Sequence, residues 1–255
     1  MRDTAIVLIP ARMKATRLPG KPLADIHGVP MIVHVWRRAM AAGIGPVVVA
    51  CEDAEIAAAV REAGGVAELT GSQHRSGSDR IFEALGRIDP DRRFSVVVNL
   101  QGDLPAIDPA VVAAALDPLA DPAVSIATLA SPLEAHELDD ANVVKAHAAL
   151  SRQTRIARAR AFTRDAASCQ GDCWHHIGIY AYRRAALERF VALPPSENEK
   201  KHSLEQLRAL DDGMVIGVRL VDTFPLGVDT PADLARARSV LSRSEEHTSE
   251  LQSRL

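Results

Sequence analysis

The sequence predicts one α/β domain built on a mainly parallel central sheet flanked by helices. Three observations carry that reading: apolar runs of strand length alternate with stretches of helical period, proline and glycine punctuate the transitions, and no internal repeat or long linker divides the chain. A chain of 255 residues, 47% hydrophobic and 25% charged, has the composition of a globular protein and the length for a substantial core.

Ala5 to Pro10 reads as the first strand, and Pro30 to Ala42 as a helix with a first-turn proline and Gly43 as its stop. Val47 to Cys51 is the second strand. Asp53 can cap the helix that follows, in which Ile56, Val60 and Ala63 share a face. His74 to Arg80 opens a helix with Ile81, Ala84, Leu85 and Ile88 on its apolar side, and Ser95 to Leu100 is another buried-type strand. Asp108-Pro109 starts a helix running to about Leu119. Val124 to Leu129 and Asn142 to Ala146 read as strands, and the pattern then weakens to Thr163. Strand-like His176 to Tyr182, helical Arg184 to Ala192 and helical Ser203 to Leu210 follow, with Ser203 as a candidate cap and Gln206 at its third position. Met214 to Val221 is a strand. Thr230-Pro231-Ala232-Asp233 starts a last helix that ends near Ser242. Residues 243 to 255 fall outside this pattern. Their polar composition reads as sequencing-adapter read-through or a disordered tail, which leaves 1 to 242 as the domain.

A net charge of -3 argues against a general nucleic-acid or anionic-membrane binder, so any basic site is local. No apolar run reaches the roughly 18 residues that span a bilayer. With no secretory leader pattern either, a cytoplasmic protein is expected. Three cysteines, Cys51, Cys169 and Cys173, make no disulfide framework and are expected as free thiols. A metal cluster of Cys169 and Cys173 with His175 and His176 is disfavoured, because adjacent histidines on a strand diverge and C-x-x-C spacing is absent.

Chemistry concentrates at strand ends, where ligands bind in open α/β sheets. The loop from Pro10 to Leu23 carries Arg12, Lys14, Arg17 and Lys21, cations suited to phosphates. It is no Walker A loop, with Ala15 and Pro22 where glycine and a hydroxyl residue belong. Ser76-Gly77-Ser78-Asp79 can hold an anion or a ribose at a helix N-terminus, or simply cap that helix. Asp103, just past a strand, can hold magnesium against phosphates. Asp229 is a second strand-end acid suited to the same cation, although a helix start also favours an acid there. His176 and Tyr180, four apart on a strand, face the same way, and His175 faces the other. No G-x-S-x-G elbow supports acyl transfer.

In order along the chain stand Ala11-Arg12 with Thr16 to Leu23, then His74 with Ser76 to Arg80, Gln101-Gly102-Asp103, Asn142 to Lys145, His176 to Tyr180, Leu204 to Arg208, and Gly227 to Pro231. In these seven blocks the chain resembles the 3-deoxy-manno-octulosonate (Kdo) cytidylyltransferases, also called CMP-Kdo synthetases. The resemblance implies a Rossmann-like nucleotide-binding domain, magnesium as cofactor and transfer of CMP from CTP to the anomeric hydroxyl of Kdo, with release of pyrophosphate. It further implies a cytoplasmic homodimer serving lipopolysaccharide synthesis. Arg12 and Lys21 would neutralise the triphosphate, and Ser76, Arg80 and Gln101 would surround the cytidine. Asp103 and Asp229 would hold magnesium, so that Arg12, Lys21, Asp103 and Asp229 form the catalytic set. Arg164, His176, Tyr180, Glu205 and Gln206 would form the sugar side. The alternatives are another sugar acid, such as an 8-amino Kdo analogue or sialic acid, and a non-catalytic nucleotide-binding paralogue. The chain departs from the family pattern at Ala15, at Leu104 where glutamate is usual, and at Phe162 to Ala167, where turn prolines are missing.

Overall fold

The computed structural model describes residues 4–14, 17–169 and 171–252, with side chains as far as 242. Its first half runs β1 (Ala5–Ala11), a 3-10 turn (Lys21–Leu23), the short hairpin β2 (Asp25–Ile26) and β3 (Val29–Pro30), and α1 (Met31–Ala41). Then come β4 (Val47–Cys51), α2 (Ala54–Glu62), β5 (Val66–Leu69), α3 (Gly77–Ile88) and β6 (Val96–Asn99). The second half has α4 (Pro109–Ala114), β7 (Ile126–Ser131), β8 (Lys145–Ala148), β9 (Ile156–Thr163) and β10 (Cys173–Arg183). It closes with α5 (Arg184–Ala192), α6 (Glu197–His202), α7 (Gln206–Asp211), β11 (Ile216–Leu220) and α8 (Pro231–Gln252).

Side-chain alternation along β1 divides the core. Val7 and Ile9 face α1, α2 and α4, whereas Ile6 and Leu8 face α3, α5 and α7. Covering on both faces explains why β1, β4 and β6 are continuous apolar runs. In α1 the buried Met31, Val35 and Ala39 recur at helical spacing, and Gly43, at φ +65, takes the left-handed conformation just beyond the helix. A third, smaller cluster seats Leu234, Ala237 and Leu241 of α8 against Ile26, Met31 and Val228.

The sheet order is β5-β4-β1-β6-β10-β7-β11-β9-β8, and β8 pairs again with β10. Parallel pairing joins β5, β4, β1 and β6, and also β7 with β11. β10 runs antiparallel to β6, β7 and β8, as β9 does to β11 and β8. The expectation of a mainly parallel sheet is therefore corrected: the sheet is mixed, parallel on the N-terminal side and largely antiparallel beyond β6. Because β10 meets both β7 and β8, strands β10, β7, β11, β9 and β8 close into a ring. β10 serves both halves because β8 pairs with its start, Cys173 to His175, and β6 with its end, Tyr180 to Arg183; its register against β7 shifts between these stretches.

Several boundaries also differ from expectation. The helix opened by Asp108 stops at Ala114 and gives way to a 3-10 turn at Asp117–Ala120, where Pro118 has no N–H to continue an α-helix. Asp53 does not cap α2 with its side chain; its carboxylate accepts from Met13 N at 2.8 Å and so fastens the basic loop. Ser203 caps no helix start. It ends α6 at φ +53, and the next helix begins at Gln206. The helix begun at Pro231 continues to Gln252, past the expected stop near Ser242. Cys169 and Cys173 are joined as a disulfide, against the expectation of free thiols, which holds for buried Cys51.

Candidate active site

The C-terminal ends of β1 and β6 lie side by side because these strands pair in parallel. The loops leaving them, the N-terminus of α3 and the approach to α8 enclose a cavity of about 410 Å³. Arg12, Lys21, Ser76, Arg80, Gln101, Asp103 and Asp229, the residues expected at the nucleotide and the metal, all line it. Lys14, Arg17, His74 and Arg75 line it as well, giving the cavity a strongly cationic wall. Gly102 lets two strand ends meet here, since a Cβ at that position would stand 2.8 Å from the Pro10 carbonyl oxygen.

Lys21 organises the acidic side. Its Nζ donates to Asp103 Oδ2 and to Asp229 Oδ1, each at 3.0 Å, while Arg17 holds the other Asp229 oxygen at 3.0 Å. Burial pulls the Lys21 ammonium down, but the two carboxylates outweigh it and raise it above its ordinary range. Lys21 is therefore charged at neutral pH. Asp229 sits at the start of α8 in a reciprocal cap: Asp233 Oδ2 accepts from the backbone N–H groups of Asp229 and Thr230, and Thr230 Oγ1 accepts from Asp233 N. Val228 N donates to the Asp103 carbonyl oxygen at 2.9 Å, which ties the two acid-bearing segments together.

On the opposite wall, Ser76 caps α3 by accepting from Asp79 N at 3.1 Å. Arg80 is only 2% exposed, and its guanidinium donates to Glu52 Oε2 at 2.8 Å and Thr70 Oγ1 at 2.7 Å. It forms a buried, partnered floor to the cavity. Gln101 Nε2 donates to the Gly178 carbonyl oxygen at 3.2 Å, linking the end of β6 to the irregular stretch of β10. Ala15 lies outside the described residues. Leu104, where the family pattern has glutamate, is buried in the apolar core.

The residues expected on the sugar side are placed differently, and none of the five lines this cavity. His176 and Tyr180 are ring neighbours, with centroids 5.6 Å apart, and His176 Nε2 meets Thr128 Oγ1 at 3.0 Å. Burial, with His175 beside it, holds His176 down to about 3, and burial pushes the Tyr180 phenol well above its usual range. Both are neutral at physiological pH. His175 faces away, stacked on Phe224. Glu205 lines a second cavity of about 460 Å³ that shares Arg75 and Ser76 with the first, and it accepts from Ser78 Oγ at 3.3 Å. Burial raises the Glu205 carboxyl against the opposing effects of Ser76, Arg208 and Ser78. Gln206 is buried at the start of α7. Arg164 donates to the carbonyl oxygens of Ala141 and Asn142 at 3.1 and 3.0 Å, and the same turn is fastened by fully buried Lys145, whose Nζ donates to the Asp140 and Arg164 carbonyls. Glu52 and Thr128, partners of Arg80 and His176, were not singled out by sequence; only Glu52, an acid directly after a strand, carried a signal that could have found it.

Comparison with known proteins agrees with this architecture. The cytidylyltransferase family profile matches residues 6–216. The chain is 56% identical over 240 residues to a 3-deoxy-manno-octulosonate cytidylyltransferase of Paramagnetospirillum magneticum, an alignment covering 93% of this chain and 98% of that one. It is 60% identical over 238 residues to the protein of the same name from Methylobacterium radiotolerans, covering 92% and 96%. Among solved structures, a CMP:2-keto-3-deoxy-manno-octonic acid synthetase complexed with CTP superposes with a TM-score of 0.85 at 38% identity, covering 95% of this chain and all of that one. The chain belongs to the 3-deoxy-manno-octulosonate cytidylyltransferase family.

Proposed function

We propose that the protein transfers CMP from CTP to the anomeric hydroxyl of Kdo and releases pyrophosphate. The observation that carries this reading is the cationic cavity in which Lys21 bridges Asp103 and Asp229. Two carboxylates that share one ammonium form a donor set suited to a hard cation, so Asp103 and Asp229 would hold magnesium. When bound, that ion would neutralise phosphate charge and make the attacking hydroxyl more acidic.

The protein's own contribution is placement and charge. Displacement at phosphorus needs in-line alignment and neutralisation of oxygens more than covalent help. Arg12 and Lys21 meet the triphosphate, and Lys21 stays protonated because its carboxylate neighbours favour the charged form. Ser76, Arg80 and Gln101 surround the cytidine, with Arg80 pre-set by Glu52 and Thr70 before any ligand arrives. Arg164, His176, Tyr180, Glu205 and Gln206 form the sugar side. His176, buried, and Tyr180, half-buried, are both neutral and act there as hydrogen-bonding and packing groups, not as charges. The homodimer and the cytoplasmic setting belong to the same proposal. Among the described residues no helix is long and apolar enough to cross a membrane, and sedimentation velocity on the purified chain measures the dimer.

Pyrophosphate release is the test. With magnesium present, each of the four nucleoside triphosphates is combined with Kdo, its 8-amino analogue or sialic acid. CTP with Kdo is expected to give the highest kcat/KM. Folded protein that releases no pyrophosphate from that pair would overturn the reading.

A further inference from the structure

Three metal-binding donors converge away from the cavity, where β8 meets the start of β10. His147 lies directly across from Cys173 in the antiparallel ladder, and its Nε2 stands 3.4 Å from Cys173 Sγ. Cys169 reaches the same point from the preceding loop and is joined to Cys173. The donor atoms of all three residues lie within 4.8 Å of one another, and each residue is half-buried. The second imidazole nitrogen, Nδ1, lies 3.7 Å from Cys173 Sγ and 3.7 Å from Asp172 Oδ1, and Asp172 is itself held by Arg160. Two sulfurs and an imidazole with a carboxylate beside its ring make a zinc donor set. Magnesium, which prefers oxygen ligands, has no use for it.

We propose that Cys169, Cys173 and His147 form a Zn2+ site when the two sulfurs are reduced, with water in the fourth position. Disulfide and zinc forms exclude each other, because zinc is bound by thiolates. In the conversion a dithiol reductant supplies two electrons and two protons: the S–S bond breaks, two thiols form and the reductant becomes its own disulfide. Zn2+ then displaces the two thiol protons as the Zn–S bonds form. The pair is separated by four positions, and so short a loop gives a disulfide little unfolded-chain entropy to remove. A metal adds what the disulfide lacks, a tie from this loop to His147 on β8. Arg164, on the sugar side, opens the same loop, so either form fastens the segment that follows it.

The experiment counts metal. Full-length protein is reduced with a phosphine without oxygen, loaded with Zn2+, and passed through a desalting column in excess Mg2+. Elemental analysis is expected to find about one zinc per reduced chain, and none on chain oxidised before loading. Cys169→Ser, Cys173→Ser and His147→Ala should each weaken zinc binding at least about tenfold, with circular dichroism confirming the fold. Co2+ in place of zinc should give a thiolate charge-transfer band that Cys173→Ser removes. Reduced, folded protein that keeps no zinc overturns the proposal, as do serine variants that keep as much as the parent.

Discussion

Lys21 is the residue on which the nucleotide site turns. Its ammonium lies 3.0 Å from two carboxylates that would otherwise face each other. Two carboxylates that share a site stay ionised together more readily with a cation between them. Lys21→Ala should therefore lower kcat/KM for CTP by about 10²-fold, and steady-state kinetics at saturating Kdo measures it. Asp103→Asn should reduce kcat at least as far while leaving the melting temperature close to the parent's, because Asp103 is partly exposed and an amide is a poor magnesium ligand. Wild-type turnover in that variant would remove Asp103 from the metal set. Asp103 was legible in the sequence because it sits in a short block just past β6, and Lys21 because it closes the cation-rich loop that leaves β1. Glu52, the partner of Arg80, follows β4 in the same way but has no distinctive neighbours. Its pairing depends on a contact across 28 positions that spacing cannot show.

Helices and their caps decide how firmly those residues are held. Asp233 is placed by the turn it closes, accepting from Asp229 N and Thr230 N, so it fixes the backbone that carries the Asp229 carboxylate. Asp233→Ala should cost about 1 kcal/mol in urea unfolding and also lower kcat, since a looser turn misplaces Asp229. A second junction joins the end of α3 to the start of α5. Buried Asp89 accepts from Arg93 N and Phe94 N and pairs with Arg184. Burial raises the Asp89 carboxyl, but the backbone donors and Arg184 overcome it and bring the group from 3.8 to about 2. A value below the ordinary one means a contribution that is complete above pH 3.8 and lost as pH falls through about 2. Asp89→Ala should cost about 3–5 kcal/mol at neutral pH, and the parent's extra stability over this variant should shrink across that acid window in denaturant titrations. Element starts of this kind were readable where a cap precedes an apolar stripe, as at Ser76 and Thr230. The helix Glu197–His202 was not, because it has no buried residue to set a period, and its capping box, Ser196 with Glu199, was its one signal.

At the scale of the molecule, the parallel half could be read from sequence and the ring could not. Strands β1, β4 and β6 are apolar on both faces, and helices between them force parallel pairing. β9 is different: its first six residues alternate between exposed and half-buried, with arginines at 158 and 160, so its sequence carries little hydrophobic signal. Nothing local states that β10 inserts between β6 and β7, because that order depends on long-range pairing. The same distinction bears on the C-terminal helix. α8 is held to the domain through Leu234, Ala237 and Leu241, and those contacts complete the small cluster beneath the β2–β3 hairpin. Residues from 243 onward lack an apolar stripe in their sequence, so little transfer energy would hold them to the body. A chain ending at Ser242 should keep the parent's melting temperature within about 2 °C, and kcat/KM should not change. Leu241→Ala, by contrast, should destabilise by about 2–4 kcal/mol, because it opens a cavity in a cluster with few other members. Differential scanning calorimetry on the two variants separates the outcomes, and a truncated chain that melted as early as Leu241→Ala would show that α8 draws its hold from beyond Ser242.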